Sequence, residues 1–501
     1  MRARTVLVTA ARMQRVEAEI FARGMPVAAL MEKVGLALAA AITCRYPAAT
    51  HRRVGVLVGP GHNGGDALVV ARELWLAGRQ VVACFPLSGG KELTLAHRRY
   101  FAGLGGTVVD GVENWPTVDL WIDGLFGFGL VRPLAGAAAD AVEHLNRSEV
   151  PVVALDLPSG LDTDTGAVLG TAVRAHCTLC IGLWKRGLWQ EGALPYTGEC
   201  ERIDFGITDA QLAVGLADET VPHLLDDGPV RALLPLARSP LAHKYTVGTT
   251  LVIAGSARFG GAPQLTALGA RASGTGMLTL AVPAPLRSVI DANFPEAVLT
   301  PCPVDAAGII ADLPVEPGDY DAVVFGPGLG KIAPTLLERV VRSSQGALVL
   351  DADGLNTLAG RLALLGERPG PTVLTPHLGE FRRLFPQIDP SDRFSATSEA
   401  ARSTGAWIVF KGARTVIAAP DGRLWVNGHA SSALARGGSG DVLAGLVAGL
   451  AAQTKNPESA VLAAVWWHAR TGEWLARRRT VLGVTPQELA AGLIDFLGAE
   501  T

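Results

Sequence analysis

The sequence predicts an α/β protein of two domains, each a mostly parallel sheet covered by helices. Three observations lead there. Short apolar runs of strand length alternate with helix-length segments along nearly the whole chain. Most of those runs end in a loop of glycine with Asp, Asn, His or Lys, which gives each sheet one chemically busy edge. The 501 residues, 49% of them hydrophobic, suffice for two cores.

Composition sets the bounds. Only 18% of residues are charged, so no large part of the chain is expected to be disordered. A net charge of −3 offers no basic footprint for nucleic acid and no attraction to an anionic membrane. The apolar run after Met1-Arg2-Ala3-Arg4 stops at Arg12, too short for a signal peptide. No uncharged apolar run approaches a membrane span, and the helix after Asp441 is the longest candidate. A cytoplasmic homo-oligomer is the expectation. Of the cysteines, Cys177 and Cys180 form a C-x-x-C pair, but within an apolar strand, where alternation sends them to opposite faces, and no second pair completes a zinc site.

In the first half, residues 13–43 read as helix. A buried strand over 54–58 leads into Gly59-Pro60-Gly61-His62-Asn63-Gly64-Gly65-Asp66, then a helix over 67–76 and a strand over 80–85, a βαβ unit. A glycine turn before a helix is a ready anion site, although this one is not the G-x-G-x-x-G fingerprint. Two further strands end in acids, at Asp123 and at Asp156 followed by Leu157-Pro158-Ser159-Gly160. In an open parallel sheet Asn63, Asp66, Asp123, Asp156 and Ser159 face one crevice, and their oxygens suit a hard cation. Each acid taken alone could equally be a turn former.

These three motifs resemble those of the NAD(P)H-hydrate epimerase domain, with His62 where that family often has Asn and Ala67 where it often has Gly. The resemblance implies a Rossmann-like three-layer αβα sandwich over residues 1–215. It implies a dinucleotide-hydrate site of His62, Asn63, Gly64, Gly65 and Asp66 together with Gly127, Phe128, Gly129, Leu130, Val131, Arg132 and Pro133. It also implies a potassium ion on Asn63, Asp123 and Ser159, with Asp156 contacting substrate as the candidate acid–base group.

Residues 216–227 read as a linker, and 228–501 as the second domain. There the alternation resumes: strands over 250–254, 277–282, 322–325, 348–350, 372–375 and 407–410, each running into a polar or glycine loop. The densest loop is Gly437-Gly438-Ser439-Gly440-Asp441, opening an apolar helix. Unpaired N–H groups and the helix dipole make it an anion hole, and Asp441 on its rim is placed to take a proton from a hydroxyl being phosphorylated. The alternative is a tightly packed helix start with Asp441 as N-cap. Trp466-Trp467-His468 reads as core packing.

The second half resembles the ADP/ATP-dependent NAD(P)H-hydrate dehydratase domain of the ribokinase-like superfamily, through Gly326-Pro327-Gly328-Leu329-Gly330, Asp351-Ala352-Asp353-Gly354-Leu355-Asn356, Thr375-Pro376-His377-Leu378-Gly379-Glu380, Lys411-Gly412-Ala413-Arg414-Thr415 and the 437–441 loop. By that resemblance Ala262, Gly328, His377 and Asp441 face the hydrate, while Lys411, Gly412, Ala413, Arg414, Thr415 and Gly440 face the nucleotide. ADP with Mg2+ is the expected co-substrate, and NADHX and NADPHX (the hydrates of NADH and NADPH) are the expected substrates. The two motif sets in this order imply a bifunctional repair enzyme. The alternative is a ribokinase-like kinase of a small vitamin precursor, fused to a non-catalytic Rossmann-like binding domain.

Overall fold

The computed structural model describes residues 2–113, 115–216 and 220–499. The chain divides into two compact units, residues 1–223 and 224–501. Of the expected linker, residues 217–219 lie outside the described residues. On either side of them stand the helices Asp209–Leu216 and Asp227–Arg231.

The first unit is built on a seven-stranded, wholly parallel sheet. From edge to edge its strands are Thr107–Asp110, Gln80–Phe85, Arg53–Val58, Leu120–Gly124, Val152–Leu155, Cys177–Ile181 and Glu199–Ile203. Alternation along each strand feeds two separate cores. Val54, Val56 and Val58 pack with Leu120, Ile122, Val153 and Leu155 on one face, and Leu57 with Trp121, Val152 and Ala154 on the other. The unit is therefore helix–sheet–helix in three layers. Strand order reverses between Arg53–Val58 and Leu120–Gly124, so the crevice beyond their carboxyl ends is the natural ligand site.

Two helix expectations need correction. Residues 13–43 are two helices, Ala10–Ala22 and Val27–Arg45, because Gly24 takes a left-handed φ of 94° and Pro26 caps the second. The helix after Asp441 is not the strongest membrane-span candidate. Among the described residues Val27–Arg45 alone is long and apolar enough, with a mean hydropathy of 1.7, and it packs Leu30, Val34, Leu38 and Ile42 into the core. Cys177 and Cys180 lie buried as free thiols in the strand next to the edge strand Glu199–Ile203, with burial pushing both upward in pKa.

The second unit carries seven parallel neighbours: Trp407–Phe410, Thr372–Leu374, Ala347–Leu350, Ala322–Phe325, Thr249–Ile253, Met277–Pro283 and Val298–Cys302. Val416–Ala418 and Leu424–Val426 extend it antiparallel beyond Trp407–Phe410. Here order reverses between Thr249–Ile253 and Ala322–Phe325. The loop after the first of those strands leads into the helix that Ala262 opens, and the loop after the second contains Gly328.

Two helices beside this sheet, Ala262–Ser273 and Ser439–Thr454, cross backbone to backbone. A Cβ on Gly445 would fall 1.9 Å from the Thr266 carbonyl oxygen, and one on Gly269 would fall 2.0 Å from that of Val442. Only glycine permits this approach, which brings both helix N-termini to the same end of the sheet. Gly445→Ala is expected to lower stability by about 1–3 kcal/mol through overpacking. Urea denaturation read by tryptophan fluorescence checks this.

Candidate active sites

At the switch point of the first sheet, Asp123 is fully buried at the end of its strand. It accepts from Ser159 Oγ at 2.7 Å, Ser159 N at 2.8 Å and Leu125 N at 3.1 Å. Burial raises its pKa to about 6 against the pull of those donors. Ser159 Oγ in turn accepts from Phe126 N at 2.8 Å. Asn63 is not in a loop. Helix His62–Leu76 begins one residue after Gly61, so His62, Asn63, Gly64, Gly65 and Asp66 form its opening turns. The earlier start has a packing reason: a Cβ on Gly64 would strike the Gly59 carbonyl at 1.9 Å, and glycine there lets the helix press against the strand end.

The buried Asn63 Nδ2 has no hydrogen-bond partner. A buried amide left unsatisfied by protein suits a bound group at this point. Among the described residues no three His, Cys, Asp or Glu side chains cluster as a metal site. A cation here would rest on amide and hydroxyl oxygens with one carboxylate.

Asp156 takes a left-handed φ of 71°, a strained conformation that aims its carboxylate inward. Lys185 Nζ donates to its Oδ1 at 2.5 Å, Ile181 N to Oδ1 at 3.2 Å and Phe128 N to Oδ2 at 3.0 Å. Lys185 has no solvent exposure, and its Nζ also donates to Ile181 O and lies 5.2 Å from the centre of the Phe128 ring. Burial works against its charge, but Asp156 prevails and holds its pKa above the ordinary lysine value. Two further carboxyls share this field. Burial, with Asp156 and Glu17 nearby, pushes Asp66 well up, and burial raises Glu17 to about 7. The predicted loop is divided: Phe128 turns inward, Leu130 leans on the core, and Gly129, Val131, Arg132 and Pro133 are exposed. His62 is exposed, its pKa lowered by partial burial and by Lys91.

In the second unit Gly438, with φ 100°, precedes helix Ser439–Thr454. Gly440 and Asp441 therefore lie in the first helical turn, and the N-cap alternative for Asp441 fails. Burial, then the charge of Asp351, raises Asp441 to about 7 against Lys411. Lys411 Nζ donates to Asp351 Oδ1 at 2.6 Å, and Thr375 Oγ1 donates to the same oxygen at 2.8 Å. The position of a Cβ on Gly440 lies 3.3 Å from Lys411 Nζ, so the ammonium sits at the mouth of the helix N-terminus.

Around this point His377 caps helix Leu378–Leu384, its Nδ1 accepting from Gly379 N at 2.9 Å and Glu380 N at 3.3 Å. Its pKa is lowered by burial and by Lys411, so the ring is neutral with its hydrogen on Nε2. Gly328 abuts Ala262, and Ser256 Oγ donates to its carbonyl at 2.8 Å. Asp353 accepts from Gly330 N at 2.8 Å, and Asn356 bridges Asp353 to Arg383. Those two residues brace turns. The 411–415 loop is not uniform: Gly412 and Ala413 are exposed, Thr415 donates to Gly412 O, and Arg414 is buried with its guanidinium on Gly428 O.

Sequence reasoning missed four residues. Lys185 and Glu17 sit on elements whose approach to Asp156 no local pattern reveals. Asp351 was legible only as one more strand-end acid. His468 lies on helix Pro457–Arg479 among buried tryptophans, as expected, yet its Nε2 donates to Ser439 O at 2.9 Å and braces the start of helix Ser439–Thr454.

Two family models match the chain: NAD(P)H-hydrate dehydratase over residues 250–494 and YjeF-related protein N-terminus over residues 27–187. A protein of Gloeobacter violaceus named bifunctional NAD(P)H-hydrate repair enzyme Nnr is 58% identical over 99% of this chain and 98% of its own. One of the same name from Salinibacter ruber is 37% identical over 88% and 86%. A crystal structure of the ADP/ATP-dependent NAD(P)H-hydrate dehydratase from Bacillus subtilis, co-crystallised with ATP and Mg2+, is 33% identical over 56% of this chain and 99% of its own, with a TM-score of 0.49. With both halves matched and the Gloeobacter relative aligned almost end to end, the chain belongs to the bifunctional NAD(P)H-hydrate repair enzyme family.

Proposed function

We propose that the first unit interconverts the R and S hydrates of NADH and NADPH, and that the second dehydrates the S hydrate at the expense of ADP, yielding NAD(P)H, AMP and phosphate. One observation carries the second activity: Asp441 stands in the opening turn of a glycine-capped helix with a carboxyl poised near 7, beside the Lys411–Asp351 pair.

Hydroxide leaves poorly. Its conjugate acid has a pKa of about 15.7, against about 6 for the second ionisation of a phosphate ester. Transferring a phosphoryl group to the ring hydroxyl removes most of that gap. Asp441 accepts the hydroxyl proton, and the N–H groups of residues 438–440 hold the transferred phosphoryl. The ring nitrogen's lone pair then expels phosphate. A helix N-terminus contributes only about 0.3–2 kcal/mol, so Lys411 shares the charge. Magnesium, when it accompanies the nucleotide, neutralises phosphate charge, and Asp351, Asp353 and Glu380 are the carboxylates available to its water shell. Ala262, Gly328 and His377 line the hydrate side, and the 411–415 loop with Gly440 the nucleotide side.

In the first unit Asp156, held by Lys185, is the group placed to move the hydroxyl proton as the hydrated ring opens and recloses through an iminium ion. Asn63, Asp123 and Ser159 would hold potassium, whose charge suits a substrate diphosphate at the opening turn of helix His62–Leu76. The unsatisfied Asn63 Nδ2 is a donor, and it suits an acceptor oxygen of the substrate at this turn, not the ion itself. Incubating both hydrate epimers with the full chain, with and without ADP, tests both activities. NADH recovery beyond the share of the S epimer, strictly dependent on ADP, is the expected result. A stable phosphate ester in place of NADH and free phosphate would instead establish a small-molecule kinase.

A further inference from the structure

A charged cluster outside both sites bears on the anion loop. The His429 ring lies between two carboxylates, with Nε2 2.9 Å from Asp227 Oδ1 and Nδ1 3.2 Å from Glu473 Oε2. A neutral imidazole has one N–H, so donating to both makes this ring the imidazolium. The groups facing it are Asp227 from helix Asp227–Arg231, and Glu473, Arg470 and Trp466 from helix Pro457–Arg479. Arg470 reaches Glu473 at 3.3 Å and Asp227 at 3.5 Å, and Trp466 Nε1 donates to Asp227 at 2.7 Å. Burial opposes both charges, yet the pairing lowers Asp227 to about 2 and raises His429.

The same helix also grips the anion loop. Glu473 Oε1 accepts from Ala430 N at 3.1 Å, while His468, five residues earlier, donates to Ser439 O at 2.9 Å. Residues 430–439, which include Gly437 and Gly438, are thus strung between two anchors on one rigid element. We propose that His429 and Glu473 are positioning residues, setting the register of the anion loop so that its N–H groups meet the nucleotide phosphate. The inference rests on the dehydratase reading of the second unit.

The sign of the pH effect follows from the raised pKa of His429. The anchor is fully charged below the ordinary histidine value and is lost as pH rises through the raised one. In the full chain the KM for ADP is expected to climb on the alkaline side while kcat changes little. Glu473→Gln removes a carboxylate that sustains the proton. It is expected to raise the ADP KM on the order of tenfold and to move the alkaline climb to lower pH. His429→Gln should give a high KM without that inflection, and calorimetric ADP affinity should follow KM in each protein. Variants that match the unmodified chain in ADP KM and pH profile would overturn the proposal. So would a flat ADP KM across the alkaline range in the unmodified chain, a readout that needs no variant to fold. If the unmodified chain made no NADH from hydrate, the dehydratase reading would fail instead, and ADP affinity would still report on the loop.

Discussion

Asp441→Asn is expected to cut ADP-dependent dehydration by about 10²–10⁴-fold, the range for losing a general base, while ADP still binds. The amide keeps the shape of the carboxyl on the first turn but cannot accept the proton of the ring hydroxyl. Because burial and Asp351 raise this carboxyl to about 7, kcat/KM of the unmodified chain for the hydrate at saturating ADP should climb with pH through that value and level above it. The variant's residual rate should lack the inflection. Stability should move the other way. A carboxyl whose pKa is raised on folding stabilises least once pH exceeds that raised value, so removing the charge relieves a penalty at neutral pH. A variant that turns over at the native rate, or that loses ADP binding together with turnover, would exclude the assigned role.

Lys185→Met should be the most damaging single change in the first unit. The methionine leaves the Asp156 carboxylate buried with only two backbone donors, Ile181 N and Phe128 N. Breaking a buried pair by removing one partner costs about 3–5 kcal/mol, because an uncompensated charge remains. Denaturant unfolding of the full chain should show the loss in the transition that reports the first unit. Epimer interconversion should vanish with it. Stability loss alone does not prove a chemical role, so the double variant Lys185→Met with Asp156→Asn separates the two effects. Without the orphaned charge, stability should recover in part while interconversion stays absent. If the double variant interconverted epimers at the native rate, neither residue would belong to the chemistry.

The layered α/β plan was legible because strand patterning is local. Val54–Val58 and Ala322–Phe325 announce buried parallel strands by apolar content alone, and each is followed by glycine and acids. Where glycines crowd, local reading started helices too late. The sequence around Asn63 and around Gly440 reads as loop, since glycine weakens isolated helices, yet packing against Gly59 and beside Lys411 makes both stretches helical. The gap at Gly24–Pro26 was missed for the opposite reason: apolar spacing continues across it.

The sequence by itself determined which strand ends and helix starts gather polar groups, and that Asp441, Asn63, Asp123, Asp156 and Ser159 stand at them, because strand-to-helix order places such residues at one sheet edge. Only the tertiary structure decided that Lys185 neutralises Asp156, that Lys411 leans on Asp351, and that His468 and Glu473 tether the 430–439 segment. Those pairings join residues 29 to 60 positions apart, and proximity at such range is set by sheet order and helix packing, which leave no periodic trace in the chain.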